Sequence, residues 1–143
     1  MAADGRVLVA LYEAYNRHDA GAAAALYAPD GAHEDVAVGR PTQGRDAVAA
    51  GLRRFFAAFP DAQWTATDVL EQGGLAFGRY VLTGTLQTDM GPFRAVGQRL
   101  ELRGVHVLDT ADGFIERSQD YWDSGTFRRQ MDTTPTREAE TAA

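Results

Sequence analysis

Two aspartates bracket a pair of aromatic residues in the segment ERSQDYWDSG, which runs from residue 116 to residue 125. A carboxylate beside bulky aromatic side chains can act as a general acid or base when it is shielded from water. Each aspartate could instead be a surface residue. Asp123 precedes SGTFRRQM, so we expect it to be the N-cap of a short last helix. Asp120 is therefore the candidate for acid/base chemistry.

A histidine lies on the preceding predicted strand, QRLELRGVHVLD. Since side chains alternate between the two faces of a strand, His106 should share the inward face of Leu100 and Leu102. The simpler interpretation is a core histidine whose ring nitrogens are hydrogen-bonded. Asp120 joins that face only if the hairpin pairs residues whose numbers give an even sum. A bulge or an odd loop in DTADGF would produce such a register, and a two-residue turn would not.

The segment GAHEDVAVG places His33, Glu34 and Asp35 together before a loop rich in Gly and Pro. Such a run can indicate a metal site. Adjacent residues of a strand point to opposite faces, however, and we therefore predict no metal there. Asp35 is a candidate base at the rim of a pocket, and a turn-forming surface acid is the alternative.

The residue types that are absent limit the chemistry further. The 143-residue chain has no Cys, and all 14 of its basic residues are Arg, so thiolate and lysine chemistry are excluded. Neither of its serines, Ser118 and Ser124, lies in a G-x-S-x-G turn. The remaining His, Asp, Glu, Tyr and Arg side chains suit proton transfer.

Charge and hydropathy restrict the possible partners. The net charge of −6 and the pI near 4.9 disfavour a nucleic acid partner. The sequence contains no apolar run of about 18 residues, so we expect no membrane span. The first residues lack the pattern of a secretory signal, and we expect a cytoplasmic protein.

The elements that must position these residues fall into two groups. Apolar spacing predicts helices over residues 6–18, 20–28 and 45–59, and residues 29–44 are predicted as a turn, a short strand and a loop. A period of two then predicts strands within 63–72, 75–89, 93–109 and 114–123, followed by a helical turn or two at 126–131.

This order of elements predicts one α+β domain over residues 1–131. In it, a curved antiparallel sheet wraps around the N-terminal helices and forms a cone-shaped barrel with an internal pocket. Residues 132–143 are small and polar, and we expect this tail to be disordered. Aromatic residues, among them Tyr15, Phe59, Trp64 and Trp122, are candidates for binding an apolar ligand, with core packing as the alternative.

Several segments resemble the SnoaL-like branch of the nuclear transport factor 2-like, or cystatin-like α+β barrel, superfamily. The resemblance extends to about Met131 and rests on YEAYNRHDAGAAAALYAPDGAHEDVAVGRP, FPDAQWTATDVLEQGG, GTLQTDMGPF with GQRLELRGVHVLD, and DGFIERSQDYWD. It implies a small hydrophobic ligand, polyketide-like or steroid-like, and a homodimer. Because one scaffold of this kind carries many activities, a pocket protein that binds a ligand without catalysis is an alternative.

The SnoaL-type polyketide cyclases close a ring by intramolecular aldol condensation without metal or cofactor. Their pattern has an Asp acid/base on the last long strand and a His on the strand before it. Asp120 and His106 match both positions. The resemblance thus implies that Asp120 removes and returns a proton, while His106 donates a hydrogen bond to the enolate or carbonyl oxygen.

Two other enzyme types of the superfamily resemble parts of the chain. Ketosteroid isomerases place their base at Asp35, but their oxyanion-hole tyrosine aligns with Leu11, and their acid aligns with Val105 or His106. Limonene-epoxide hydrolases have RDYFD where this chain has QDYWD, which again indicates Asp120. Their Arg-x-Asp pair would use Arg79, although Val81 occupies the Asp position.

Overall fold

The computed structural model describes residues 6–133, so most of the tail predicted to be disordered, residues 134–143, lies outside the described residues. The helices are α1 (Val7–Asn16), α2 (Ala20–Ala25), α3 (Arg45–Ala58) and α4 (Ser124–Met131). The strands are β1 (Tyr27–Asp35), β2 (Arg40–Gln43), β3 (Gln63–Gln72), β4 (Leu75–Thr85), β5 (Arg99–Ala111) and β6 (Phe114–Trp122). No helix within residues 6–133 is long and apolar enough to cross a membrane.

The six strands form one curved sheet in the order β2-β1-β6-β5-β4-β3, which confirms the predicted α+β fold. The sheet does not close into a barrel, because β2 and β3 remain as its two edges. It is also not wholly antiparallel, since β1 runs parallel to β6. The first strand begins at Tyr27, inside the segment predicted as the second helix, because the backbone there pairs with Ile115 of β6.

Helix α1 lies against the sheet and is attached to β3 at both ends. Its buried face has the predicted helical spacing and consists of Val7, Leu8, Leu11, Tyr12, Ala14 and Tyr15. The Glu71 carboxylate accepts hydrogen bonds from the amides of Val7 and Leu8, at 3.0 and 3.3 Å, and so supplies the missing N-terminal cap. At the other end, the Asn16 side chain exchanges two hydrogen bonds with the backbone of Trp64. These contacts fix which side chains of α1 reach the sheet.

The β5–β6 hairpin combines a two-residue turn with a bulge. Asp112 and Gly113 form the turn with positive φ angles of 53° and 81°, as in the turns favoured by tight hairpins. The register then shifts between Asp109 and Thr110, where β6 contains an additional residue. Beyond this bulge, the numbers of paired residues add up to an even value, and His106 lies directly opposite Asp120. The turn alone would have placed the two side chains on opposite faces.

Candidate functional site

Three neighbouring strands bring one polar row to the inner face of the sheet. His106 of β5 pairs with Asp120 of β6, and Asp120 pairs in parallel register with Asp35 of β1. A backbone hydrogen bond of 3.0 Å from the Val36 amide to the Asp120 carbonyl holds the end of β1 against β6. Residues far apart in the chain are therefore held in one line by strand pairing.

Asp120 has a polar partner on each carboxylate oxygen. The Tyr80 hydroxyl donates to Oδ1 at 2.7 Å, and Nε2 of His106 lies 3.2 Å from Oδ2. Asp120 is only 9% exposed and His106 is fully buried. On the far side of the imidazole ring, Nδ1 of His106 lies 2.9 Å from the Tyr12 hydroxyl. The polar contacts thus run from Tyr12 on helix α1 through His106 to the Asp120 carboxylate.

The orientation of His106 follows from its two neighbours. Nε2 faces a carboxylate, where a proton is favourable and a lone pair is repelled. We therefore place the proton on Nε2, so that Nδ1 accepts from the Tyr12 hydroxyl. The N–H is close to Asp120 but poorly aligned, because Nε2 has no hydrogen bond of good geometry within the described residues. The pair is thus a close polar contact of 3.2 Å that lacks the geometry of a hydrogen bond.

Two glycines make room for the two tyrosines. A Cβ on Gly78, which is opposite His106 in β4, would lie 2.7 Å from the Tyr12 hydroxyl and 2.7 Å from Cδ2 of Leu8. A Cβ on Gly104 would overlap the hydroxyl of Tyr80. Glycine within a strand often marks such a close approach. The tyrosine hydroxyls reach His106 and Asp120 because the sheet has no side chain at these positions.

Both tyrosines remain protonated donors. Burial raises the pKa of Tyr80 well above its ordinary value, and the charge and hydrogen bond of Asp120 raise it further. Burial also raises the pKa of Tyr12, with an additional contribution from the Asp120 charge. Each hydroxyl therefore stabilises the site as a neutral group and does not compete with Asp120 as a base.

A second polar cluster lies beside Asp120 on β1. Nδ1 of His33 lies 2.7 Å from the Ser118 hydroxyl, which is also 2.6 Å from the Tyr27 hydroxyl. Nε2 of His33 lies 3.5 Å from Oδ1 of Asp35. The same carboxylate oxygen accepts a hydrogen bond from the Trp122 indole at 3.1 Å. His33 and Asp35 are two residues apart on one strand and therefore share a face.

His33 and Asp35 shift each other's pKa in the directions expected of an ion pair. Burial alone would lower the pKa of His33, but the hydrogen bond and charge of Asp35 outweigh it and raise the net value above 6.5. Burial alone would raise the pKa of Asp35, but His33 and the Trp122 indole outweigh it and lower the value below 3.8. The charged pair is favoured, and Asp35 is a correspondingly weak base.

These polar groups line one part of a cavity of about 720 Å³. The polar part includes His33, Asp35, Tyr80 and Asp120. Most of the remaining wall is aromatic or aliphatic and includes Tyr15, Val48, Leu52, Phe55, Trp64, Leu82, Leu100, Leu102, Trp122 and Phe127. A cavity of this size and lining suits a flat apolar molecule that carries a few polar groups.

The sequence of residues 5–131 matches the family model described as SnoaL-like polyketide cyclase. The chain belongs to this family. A protein from Xanthomonas campestris pv. campestris, provisionally called a polyketide cyclase, has a solved structure that is 30% identical. The alignment covers 88% of this chain and 94% of that one, with a TM-score of 0.76. The predicted membership of the SnoaL-like family is confirmed.

More distant solved structures share the fold. AclR from Streptomyces galilaeus, provisionally called a hydroxylase, is 19% identical with a TM-score of 0.79, and the match covers 94% of this chain and all of AclR. A protein with a ketosteroid isomerase-like fold from Catenulispora acidiphila is 21% identical with a TM-score of 0.75, and the match covers 87% and 91% of the two chains. A comparison with curated proteins finds no match.

The structure places most of the predicted residues of this family member at the cavity. Asp120, Asp35, Tyr15, Trp64 and Trp122 all line it. His106 does not line the cavity. It lies behind Asp120 with no exposed surface, so it contacts the Asp120 carboxylate but not a ligand in the cavity.

Two predicted binding residues lie away from the cavity. Phe59 is fully buried and stacks near Phe55 in the core, with 5.0 Å between ring centroids. Arg79 has the opposite strand parity from Tyr80, and its side chain is on the outer face, where it pairs with Asp68 at 2.7 Å. Because Arg79 lies on the outer face, the arginine that an epoxide hydrolase-like site would use is not at the cavity.

Some site residues were not predicted from the sequence. Tyr80 and Tyr12 were not singled out, although Gly104 and Gly78 within strands were a signal of close approach. His33 was set aside because neighbours on a strand diverge. That argument holds for Glu34, yet it does not separate His33 from Asp35. Atoms of His33, Asp35 and Asp120 that could ligate a cation lie within 4.8 Å of one another, and the absence of a metal stays a prediction.

Proposed function

We propose that this chain is a cofactor-free acid/base enzyme that enolises a hydrophobic carbonyl compound, as in an aldol-type polyketide cyclisation. The observation that carries the proposal is the position of Asp120. It is a nearly buried carboxylate that lines an apolar cavity and is held by Tyr80 on one oxygen and His106 near the other. Such positioning is what a general base needs in order to meet a C–H bond of a bound substrate.

Asp120 is a better candidate for the base than Asp35. The side chain of Asp35 is 40% exposed, and its lowered pKa makes it a weaker proton acceptor. Tyr80 and His106 each contact one oxygen of Asp120, and the carboxylate also lines the cavity, where a substrate would meet it. The ketosteroid isomerase-like alternative, in which Asp35 is the base, has less support for this reason.

In the proposed reaction, Asp120 removes a proton from a carbon next to a carbonyl group of the substrate. The C–H electron pair becomes the enolate, whose carbon then attacks a second carbonyl carbon of the same molecule. The electron pair of the attacked C=O bond moves to its oxygen, which gains a proton and becomes a hydroxyl group, while Asp120 gives up the proton that it took from carbon. The proton loss and gain cancel, and no redox step or cofactor is required. His106 does not reach the substrate, so we assign it a positioning role. Its N–H restricts the orientation of Asp120, and Tyr12 restricts the ring.

The decisive experiment is the Asp120→Asn variant, assayed for solvent deuterium uptake next to a ketone and for cyclisation of a polyketone. We expect a loss of about 10²–10⁴-fold in turnover with the fold retained, as for removal of a general base. Asp109→Asn is the matched control, because Asp109 lies in the same hairpin and pairs with Arg117 at 3.3 Å outside the cavity. Full turnover by Asp120→Asn would exclude Asp120 as the base. Ligand binding without turnover in the wild type would favour the non-catalytic pocket.

A further inference from the structure

We infer that His33, oriented by Ser118 and Asp35, is the general acid that protonates the attacked carbonyl oxygen, so that the site takes substrates with two reacting carbonyl groups. This inference rests on the proposed role of Asp120 as the base. It goes beyond it by assigning the second proton transfer to a named residue.

The position of His33 carries the inference. Its imidazole lines the cavity, whereas His106 is sealed behind Asp120. Nδ1 of His33 is engaged by the Ser118 hydroxyl at 2.7 Å, and Ser118 is itself fully buried. Nε2 is in a long contact of 3.5 Å with Asp35, and a substrate oxygen in the cavity would compete with that carboxylate for the Nε2 proton.

The spacing of the two proton-transfer groups suits one reacting unit. A terminal oxygen of Asp120 and a ring nitrogen of His33 lie within 4.8 Å of each other. In an aldol addition, the deprotonated carbon and the attacked oxygen are separated by only one atom in the product. A base and an acid this close can serve the two ends of the forming bond.

The surrounding groups favour a charged His33. From β1, Asp35 and Glu34 contribute negative charge, and the nearby carboxylate of β6 is Asp120. Burial opposes this charge, but the net pKa of His33 is raised. On β2, the neutral Thr42 is the register partner of His33, while Arg40 is the partner of Asp35. From α3, Arg45 donates to the Tyr27 carbonyl, and Arg54 lines the cavity.

The proposed step balances without a co-reactant. Asp120 accepts the proton from carbon, the new C–C bond forms, and the electron pair of the attacked C=O bond moves to its oxygen. That oxygen takes the proton from Nε2 of His33 and becomes a hydroxyl group. The proton on Asp120 then passes to neutral His33, directly or through water, and restores the starting state. In this scheme Asp120 takes up the proton from carbon and the His33–Asp35 pair supplies the proton to oxygen, so both groups at the cavity take part in the reaction.

The first test measures the acid directly with 4-nitrophenol, whose ionised form absorbs in the visible range. Bound beside a charged His33, the probe should show about a tenfold higher phenolate-to-phenol ratio than in free solution at the same pH, as expected of one charge-assisted hydrogen bond. His33→Gln should lose this increase and Asp35→Asn should reduce it. Asp109→Asn is the matched control, because Asp109 is a carboxylate outside the cavity lining that pairs with Arg117 at 3.3 Å.

An unchanged phenolate ratio in His33→Gln would overturn the inference. So would a wild-type protein that binds the probe without ionising it, or that does not bind it at all. Circular dichroism of each variant checks that the fold is retained. Asp120→Asn should lower the phenolate signal less than His33→Gln does, because Asp120 contributes less than Asp35 to the raised pKa of His33. The test therefore reports on the acid whether or not Asp120 is the base.

The second test separates enolisation from ring closure with 2-methyl-2-(3-oxobutyl)cyclohexane-1,3-dione in D₂O. Deuterium uptake next to the side-chain ketone reports the base, and formation of the bicyclic ketol reports the acid. We expect His33→Gln to retain uptake within about threefold and to lower ring closure by about 10²-fold. We expect Asp120→Asn to lose both reactions. Equal losses of both reactions in His33→Gln would refute a separate acid, and a wild type without uptake would count against Asp120 as the base.

Discussion

Gly104→Ala tests whether the packing beneath Tyr80 holds the site together. In the structure, Gly104 pairs with Tyr80 across β4 and β5, and the tyrosine ring lies over the space that a side chain would fill. An added Cβ would overlap the Tyr80 hydroxyl and lie 2.8 Å from its Cε2. The ring is part of the buried core and cannot move away without leaving Oδ1 of Asp120.

The expected cost follows from three terms, two that destabilise and one that stabilises. Overpacking of a core costs about 1–3 kcal/mol. Loss of a hydrogen bond to a charged group costs about 1.5–3 kcal/mol. The smaller backbone freedom of alanine in the unfolded chain returns about 0.5 kcal/mol. We therefore expect the free energy of unfolding to fall by about 3 kcal/mol, which corresponds to a decrease of about 10 °C in Tm for a chain of this size.

Urea and thermal unfolding followed by circular dichroism measure this change. Gly51→Ala is the control, because Gly51 lies within α3 and its added Cβ would meet only Nη2 of Arg54, at 3.8 Å. This substitution should leave stability unchanged or raise it slightly, since alanine is favoured over glycine in helices. If Tyr80 is the obstacle, Gly104→Ala should cost little once Tyr80→Ala is present. Additive costs in that double-mutant cycle would refute the reasoning.

Two further predictions concern the second polar cluster and the attachment of α1. The pKa of His33 is raised in the folded protein, so its stabilising effect is complete below pH 6.5 and is lost as the pH rises through the pKa of the folded state. The pKa of Asp35 is lowered, so its stabilising effect is present above pH 3.8 and is lost as the pH falls through the pKa of the folded state. The stability difference between wild type and Asp35→Asn, measured by urea unfolding across pH, should be largest from about 3.8 to 6.5, and a constant difference would contradict the ion pair. Asn16→Ala should cost about 2 kcal/mol in the same assay, because it removes both hydrogen bonds to the Trp64 backbone, and an unchanged midpoint would show that water replaces them.

Local patterns predicted most of the fold because they report local physics. The helical spacing of α1 and α3 and the alternation in β4 and β5 reflect which side chains the sheet and helices bury together. The sequence did not predict the early start of β1 at Tyr27. This stretch contains Ala, Pro and Gly, with little strand propensity, and its conformation comes from pairing with β6, about 90 residues later. Long-range pairing of this kind leaves no periodic signal.

The candidate site was predicted in part for the same reason. Asp120 and His106 were found from strand parity together with the family resemblance, and Asp35, Tyr15, Trp64 and Trp122 at the cavity were also anticipated. The contribution of His33 was missed, because it depends on Ser118 and on the parallel register that brings β1 beside β6. The outward position of Arg79 follows from its parity, which is opposite to that of Tyr80, whereas Arg79 was named from the resemblance to epoxide hydrolases alone.

The absence of a clean alternation in β6 was itself a structural signal. Ile115 is buried, the next two residues are exposed, and burial resumes at Ser118 and Asp120. The inner face therefore changes from odd to even numbers at the bulge, where Thr110 pairs with Ile115 and the next pair skips a residue. Because one additional residue reverses the facing of everything after it, the bulge directs Asp120 into the cavity. Asp123 lies just past the end of β6 and caps α4 through Thr126. Two aspartates three residues apart thus have different roles, because the bulge sets the face on which Asp120 lies, whereas Asp123 follows the last residue of the strand and caps α4.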